Sequence, residues 1–161
     1  MVKIRRKALK DIPEIAKVHY VSYMHTYKGI LPKTHLDNQT EASYLKKHQM
    51  FNTDCLVAEV DNQIVGFIMY GPSKDDDLND TFEIYTIYLL SEYQHKGIGT
   101  QLMKHAEDEM KSYVNCCSLW VVDMNFDTIQ FYEKHGYQFD GEEIEDEGFR
   151  EQRMVKTLQK L

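Results

Sequence analysis

The stretch Gln94-His95-Lys96-Gly97-Ile98-Gly99-Thr100 carries the clearest chemical signal in the chain, because it stands between a β-rich run and an amphipathic one. A strand turning into a helix there presents unpaired backbone N–H groups at the helix start, where the helix dipole also favours an anion. Gly97 and Gly99 lack Cβ, so the backbone can turn sharply and phosphate oxygens can approach the amides, with Lys96 adding charge. Two other phosphate loops fit badly. A dinucleotide fingerprint needs a third small residue where Leu102 stands, and a Walker A loop needs Gly-Lys-Ser/Thr where Gly99-Thr100-Gln101 stands. Taken alone, two glycines serve a tight strand-to-helix turn equally well.

The elements that must position this loop follow from periodicity. Phe82 to Leu89 reads as a strand feeding the loop, and Ile98, Leu102, Ala106 and Met110 recur every four residues along a helix from about Ile98 to Tyr113. Ser118 to Val122 is a further strand, Asp127 to His135 a short helix stopped by Gly136, and Tyr137–Asp140 and Arg150–Thr157 are two late strands. Upstream, Val2 to Lys7 reads as a first strand. Asp11-Ile12-Pro13-Glu14 has the residues of a helix start, with Asp11 as N-cap and Glu14 at the capping-box position. That helix stops by Gly29, and a second helical stretch runs from Thr40 to His48. Cys55–Val60 and Ile64–Tyr70 flank Asp61-Asn62-Gln63 as a hairpin, and Gly71 to Asp80 is a loop. Strand, helix, strand in the centre implies a parallel crossover, whereas the hairpin implies antiparallel pairing, so the sheet is mixed and the fold class α+β.

Gln94-x-x-Gly97-x-Gly99 after a strand resembles the Gln/Arg-x-x-Gly-x-Gly/Ala acetyl-CoA signature of the GNAT superfamily of N-acetyltransferases. Asn125 followed by Phe131-Tyr132-Glu133-Lys134-His135-Gly136-Tyr137 is similar to the family's downstream element. Tyr27-Lys28-Gly29-Ile30-Leu31-Pro32 resembles a segment near the N-terminus of many bacterial members. The likeness covers nearly the whole chain. It implies one domain over residues 1–161, with a mostly antiparallel sheet of six to seven strands, a central parallel pair and about four helices. It further implies acetyl-CoA bound at the loop formed by Gln94, His95, Lys96, Gly97, Ile98, Gly99 and Thr100, the amides from Lys96 to Thr100 holding the pyrophosphate. The main chain of Ile87, Tyr88 and Leu89 would pair with the pantetheine arm like an added strand, and Asn125 would bond the arm from the next strand's end. That arrangement needs two parallel strands to splay apart.

An amine attacks a thioester only as the neutral amine, so a base reached directly or through water helps, and a carboxylate can serve. Glu83 lies eleven positions before Gln94, the offset at which GNAT histone acetyltransferases carry a general-base glutamate. Its bland reading is a carboxylate near a strand end, and Asp80 is a weaker rival. Strict alternation puts Glu83, Tyr85, Ile87 and Leu89 on one face of the strand and Phe82, Ile84, Thr86 and Tyr88 on the other, a parity that a bulge would shift. Tyr132 matches the tyrosine that in many GNAT enzymes protonates the leaving thiolate, and it can also anchor its helix. Tyr27 and Tyr85, with Tyr20, Tyr23 and His25, are candidates to line an acceptor site. Asp75-Asp76-Asp77 could draw in a cation, although a solvated loop is the simpler account.

The composition bounds the partners. The 161 residues carry a formal charge of −7 and are 42% hydrophobic, which suits a folded domain and opposes nucleic-acid binding. No apolar run suggests a membrane span or a signal peptide, so a cytoplasmic protein is expected. The three cysteines form no Cys-x-x-Cys and the seven histidines no metal-binding spacing, so neither disulfide nor metal is expected. The partner expected is a small-molecule or peptide amine, and the resemblance makes a homodimer possible. An acyl-CoA-binding module without catalysis would need the loop and Asn125 but not Glu83 or Tyr132.

Overall fold

Hydrophobic alternation and helical periodicity resolve into a layered structure in which helices cover both faces of one sheet. The structure, a computed structural model, describes residues 1–146 and 148–158. In chain order the elements are β1 (Val2–Arg6), α1 (Ile12–Tyr27), α2 (Lys33–Asp37), α3 (Glu41–Met50), β2 (Asp54–Val60) and β3 (Gln63–Pro72). They continue with β4 (Thr81–Leu89), α4 (Ile98–Met110), β5 (Cys116–Val122), α5 (Phe126–Lys134), β6 (Gln138–Asp146) and β7 (Phe149–Thr157). Among the described residues seven strands lie in the order β1-β2-β3-β4-β5-β7-β6, and only β4 and β5 run parallel. This is the expected mixed fold. The short α2 is an addition, between the two expected helices where no element was expected, and β6 runs six residues beyond the expected Asp140.

The stripe on α4 meets the sheet as its spacing requires. Ile98, Leu102, Ala106 and Met110 are each at most 2% exposed and join Leu56, Ile68, Ile84 and Leu119 in the larger core. On the other face, Ile15 and Val18 of α1 pack on Cys55, Val57, Phe67 and Met69. The β2–β3 turn places Asp61 and Asn62 at positive φ, the conformation that suits a tight hairpin. Two capping expectations are corrected. Asp11 stands at the N-cap of α1 but makes no side-chain cap; its carboxylate instead takes Arg5 at 2.7 Å and the Ala8 N–H at 2.7 Å. Glu14 accepts from the Ile64 N–H at 2.8 Å, which ties α1 to β3. No helix among the described residues is long and apolar enough to cross a membrane.

Between α1 and α3 lies a buried histidine pair, with His19 Nδ1 2.8 Å from His48 Nε2. His19 packs among Tyr44, Phe67 and Tyr88, and burial, then His48 and Lys47, push it down to about 3. Burial, Lys7 and Lys47 push His48 down to about 4. Above the ordinary value near 6.5 both rings are neutral whether the chain is folded or not. Below it the unfolded chain takes up protons that the folded chain refuses, so stability falls with pH, by at most about 1.4 kcal/mol per pH unit for each ring. The urea midpoint should therefore hold from pH 8 to 6.5 and fall between 6.5 and 5. A midpoint that stays level down to pH 5 contradicts this burial.

Candidate active site

The site begins where two parallel strands part. β4 pairs with β5 only from Thr81–Ile84 to Cys116–Leu119, yet stays paired with β3 as far as Leu89. From Tyr85 to Leu89 the backbone groups facing β5 therefore have no strand beside them, and the sheet opens into a cleft of about 510 Å³. The cleft is lined by Ile87, Tyr88, Leu89, Gln94, His95, Gly97, Gly99, Thr100, Asn125 and Tyr132, all expected there, and by Tyr27 and Tyr85. Three expected residues lie outside this lining. Ile98 is 2% exposed in the core, Lys96 is exposed with its amine 5.6 Å from the Tyr93 ring centroid, and Glu83 is buried behind the opening.

A single extra residue decides which side chains face which layer. Met69 pairs with Thr86 but Tyr70 pairs with Ile84, which leaves Tyr85 as a bulge in β4. The strict alternation expected from sequence is thereby corrected. Phe82 and Ile84 share the α4-side core with Ile87 and Leu89, whereas Tyr88 packs with the cluster under α1. Glu83 falls on the α1 side, opposite Ile84.

At the loop, Gly97 is the N-cap of α4 with φ +81, and a side chain there would meet nothing within 4 Å. Gly97, Gly99 and Thr100 at the start of α4 line the cleft, and a helix start leaves its first N–H groups without intrahelical partners, as an anion site requires. Gly99, which lines the cleft, also has a packing reason that its spacing did not suggest. A Cβ there would sit 3.2 Å from the Phe131 ring, so Gly99 lets α5 pack on α4. Gln94 donates from Nε2 to the Leu89 carbonyl at 3.3 Å and so braces the end of β4. Asn125 is the N-cap of α5, its side-chain oxygen accepting from the Thr128 N–H at 3.4 Å. The Tyr27 hydroxyl lies in hydrogen-bond reach of Asn125 and Tyr88, and burial raises the pKa of both tyrosines.

Tyr132 is 6% exposed, with its ring edge-on to Phe131 and Tyr137. Burial, and then the nearby Tyr27 and Cys117, raise its pKa above the usual phenol range, so its proton is firmly held at neutral pH. Glu83 is 8% exposed and accepts from the Lys74 N–H at 3.1 Å. Burial raises its pKa above the usual carboxylate range, against the opposing effect of that N–H. Asp80 is exposed and hydrogen-bonded by Asn115. Cys117 is fully buried, and burial pushes its thiol up to about 12, which makes it a poor nucleophile.

Sequence reasoning missed several groups. Trp120 lines the cleft and donates Nε1 to Asp75 at 3.0 Å. His135 joins α5 to the first turn of α4, its Nδ1 donating to the Phe131 carbonyl at 2.8 Å while Nε2 lies 3.0 Å from Thr100 Oγ1. The run Asp75-Asp76-Asp77 keeps Asp76 and Asp77 exposed, as a solvated loop does, but it is also anchored. Buried Arg153 of β7 grips Asp77 at 2.8 and 2.7 Å, with Asp75 at 3.4 Å. His25 borders a smaller adjoining recess.

Residues 20–137 match the model of the acetyltransferase (GNAT) family. An uncharacterized N-acetyltransferase of Bacillus subtilis is 31% identical over 138 residues, covering 84% of this chain and 79% of that protein. The spermidine N(1)-acetyltransferase of Thermoplasma acidophilum is 28% identical over 147 residues, covering 85% and 88%. Among solved structures, the PaiA N-acetyltransferase of Thermoplasma acidophilum in complex with coenzyme A superposes with a TM-score of 0.78 at 24% identity, over 98% of this chain and 99% of that one. With its parted parallel strands and glycine loop, the chain belongs to the GNAT family of acetyltransferases. It is an N-acetyltransferase that uses acetyl-CoA. The open space at Gly97 beside the amides of α4, and the unpaired edge of β4, suit a phosphorylated, amide-bearing arm of that kind.

Proposed function

We propose that this single domain transfers acetyl from acetyl-CoA to a primary amine by direct attack in a ternary complex. The observation that carries the proposal is the parting of β4 from β5 beside the N-terminus of α4. Acetyl-CoA supplies an activated thioester. The N–H groups from Lys96 to Thr100 hold its pyrophosphate, and the free edge of Ile87 to Leu89 pairs with the amides of its arm. The Asn125 oxygen is engaged in capping α5, so the side-chain N–H₂ is what Asn125 offers. Glu83, whose carboxylate is not in the cleft wall, accepts the amine's proton through water. Tyr132 donates a proton to the departing sulfur.

Tyr27 and Tyr85 face the acceptor. The likeness to a spermidine N(1)-acetyltransferase favours a polyamine, and a peptide amino group is the second class to examine. Thiol release from acetyl-CoA across polyamines, amino acids, aminoglycosides and N-terminal peptides tests the reading. One amine should raise release well above hydrolysis, and a flat panel argues for a binding module instead.

Tyr132→Phe removes one hydroxyl and leaves the ring in place. Turnover should drop roughly tenfold or more, at the low end of general-acid effects because a thiolate is a tolerable leaving group. Thermal stability and coenzyme A affinity should hold within a few-fold. Equal turnover in the two proteins leaves Tyr132 as a packing residue.

A further inference from the structure

Lys74 belongs to the segment between β3 and β4, and that segment is fastened from three sides. Arg153 holds Asp77 and Asp75, Trp120 donates to Asp75, and the Lys74 N–H donates to Glu83. The Lys74 side chain then reaches over Tyr85, with Nζ 4.4 Å from the ring centroid. Tyr85 is held in turn. Its hydroxyl donates to the Pro72 carbonyl, and its ring occupies the space a side chain at Gly71 would need, with Oη 2.9 Å from that Cβ position. As the bulged residue of β4 it also forms part of the cleft wall, where β4 leaves β5.

A primary amine thus rests on an aromatic ring at the wall of an acetyl-transfer cleft, one hydrogen bond along the backbone from the proposed base. We propose that Lys74 is a self-acetylation site, modified in cis by the acetyl-CoA bound in its own cleft. The inference rests on the functional reading above. In the step, Nζ bonds to the thioester carbonyl carbon and the carbon–sulfur bond breaks. One ammonium proton passes to Glu83 through water before attack; a proton from Tyr132 converts the departing thiolate to the thiol, and the second proton lost by nitrogen as the amide forms returns to Tyr132. Overall, lysine ammonium and acetyl-CoA give N-acetyl-lysine, coenzyme A and one released proton. Tethering replaces an encounter from solution with a motion of the chain's own side chain, which is the source of the expected rate advantage.

The test is to incubate the full chain with acetyl-CoA and no added amine, then follow acetylation of each lysine by peptide mass spectrometry. Lys74 should be labelled roughly tenfold or more faster than the exposed Lys10 and Lys33, given even a modest effective concentration. Its rate should not change when the protein is diluted. Gly97→Asp, which places a negative charge at the loop, should abolish the label. Lys74→Arg should still acetylate an external amine within roughly threefold of the parent rate. Labelling of Lys74 at the rate of Lys33, labelling that persists in Gly97→Asp, or a rate that rises with protein concentration overturns the inference. Turnover of an external amine with Lys74 unmodified overturns it alone and leaves the proposed function standing. Failure to acetylate either amine overturns both.

Discussion

Glu83→Gln is expected to lower turnover at pH 7 by roughly 10²–10⁴-fold, the usual worth of general-base help, while coenzyme A affinity stays within a few-fold. The amide keeps the size of the carboxylate and can still accept from the Lys74 N–H, so the fold and the loop should be undisturbed. It cannot take up the amine's proton. The sign of the pH dependence follows from burial. Because the Glu83 carboxyl titrates above the ordinary carboxylate range, the wild type should lose activity on acidification earlier than a solvent-exposed carboxylate would dictate. At high pH the free amine is abundant without help, so the variant should keep rising toward the amine's own pKa while the wild type levels off. A Glu83→Gln enzyme that matches wild type at every pH assigns proton removal to bulk water.

The second large effect belongs to Gly97→Asp. Coenzyme A and acetyl-CoA should raise the thermal midpoint of the wild type, since a ligand that binds only the folded chain stabilises it by mass action. With φ at +81 most side chains would strain the loop, but aspartate is among the few that adopt left-handed backbone, and the space around a Cβ there is open. The variant should therefore fold, yet it sets a carboxylate where the proposed site puts the pyrophosphate. At a ligand concentration one hundred times the wild-type Kd, the ligand's contribution of about 2.7 kcal/mol should vanish. A folded variant whose midpoint still rises with coenzyme A removes this loop from the site.

The order of strands and helices was legible because burial imposes periods of two and about four on the residue types, as in Phe82–Leu89 and in the α4 stripe. The loop stood out because its glycines lie at a strand-to-helix junction within a family signature, whereas alone they would serve a tight turn equally well. What was hidden depends on contacts across the chain. Arg153 reaches Asp77 from 76 positions away, and nothing near either residue announces the pair. The bulge at Tyr85 is one unpaired residue inside an unbroken β-rich run, so it left no mark on composition while reversing the face of every residue beyond it. His135 was passed over because a lone histidine at a helix end carries no pattern, although its ring spans from Phe131 to Thr100. Gly99 has a packing reason, the ring of Phe131, that the phosphate argument did not foresee.

The most direct test of acetyl transfer at the parted strands is a stoichiometry. The wild type is supplied with acetyl-CoA labelled in the acetyl group and with the best amine from the panel, and coenzyme A, N-acetyl product and labelled protein are counted together. Transfer by direct attack predicts one coenzyme A released for each labelled N-acetyl amine, with product formed from the first turnovers and no labelled protein that must be discharged to form it. Acetyl-CoA that binds and raises the thermal midpoint, yet leaves every amine unlabelled, would contradict the account.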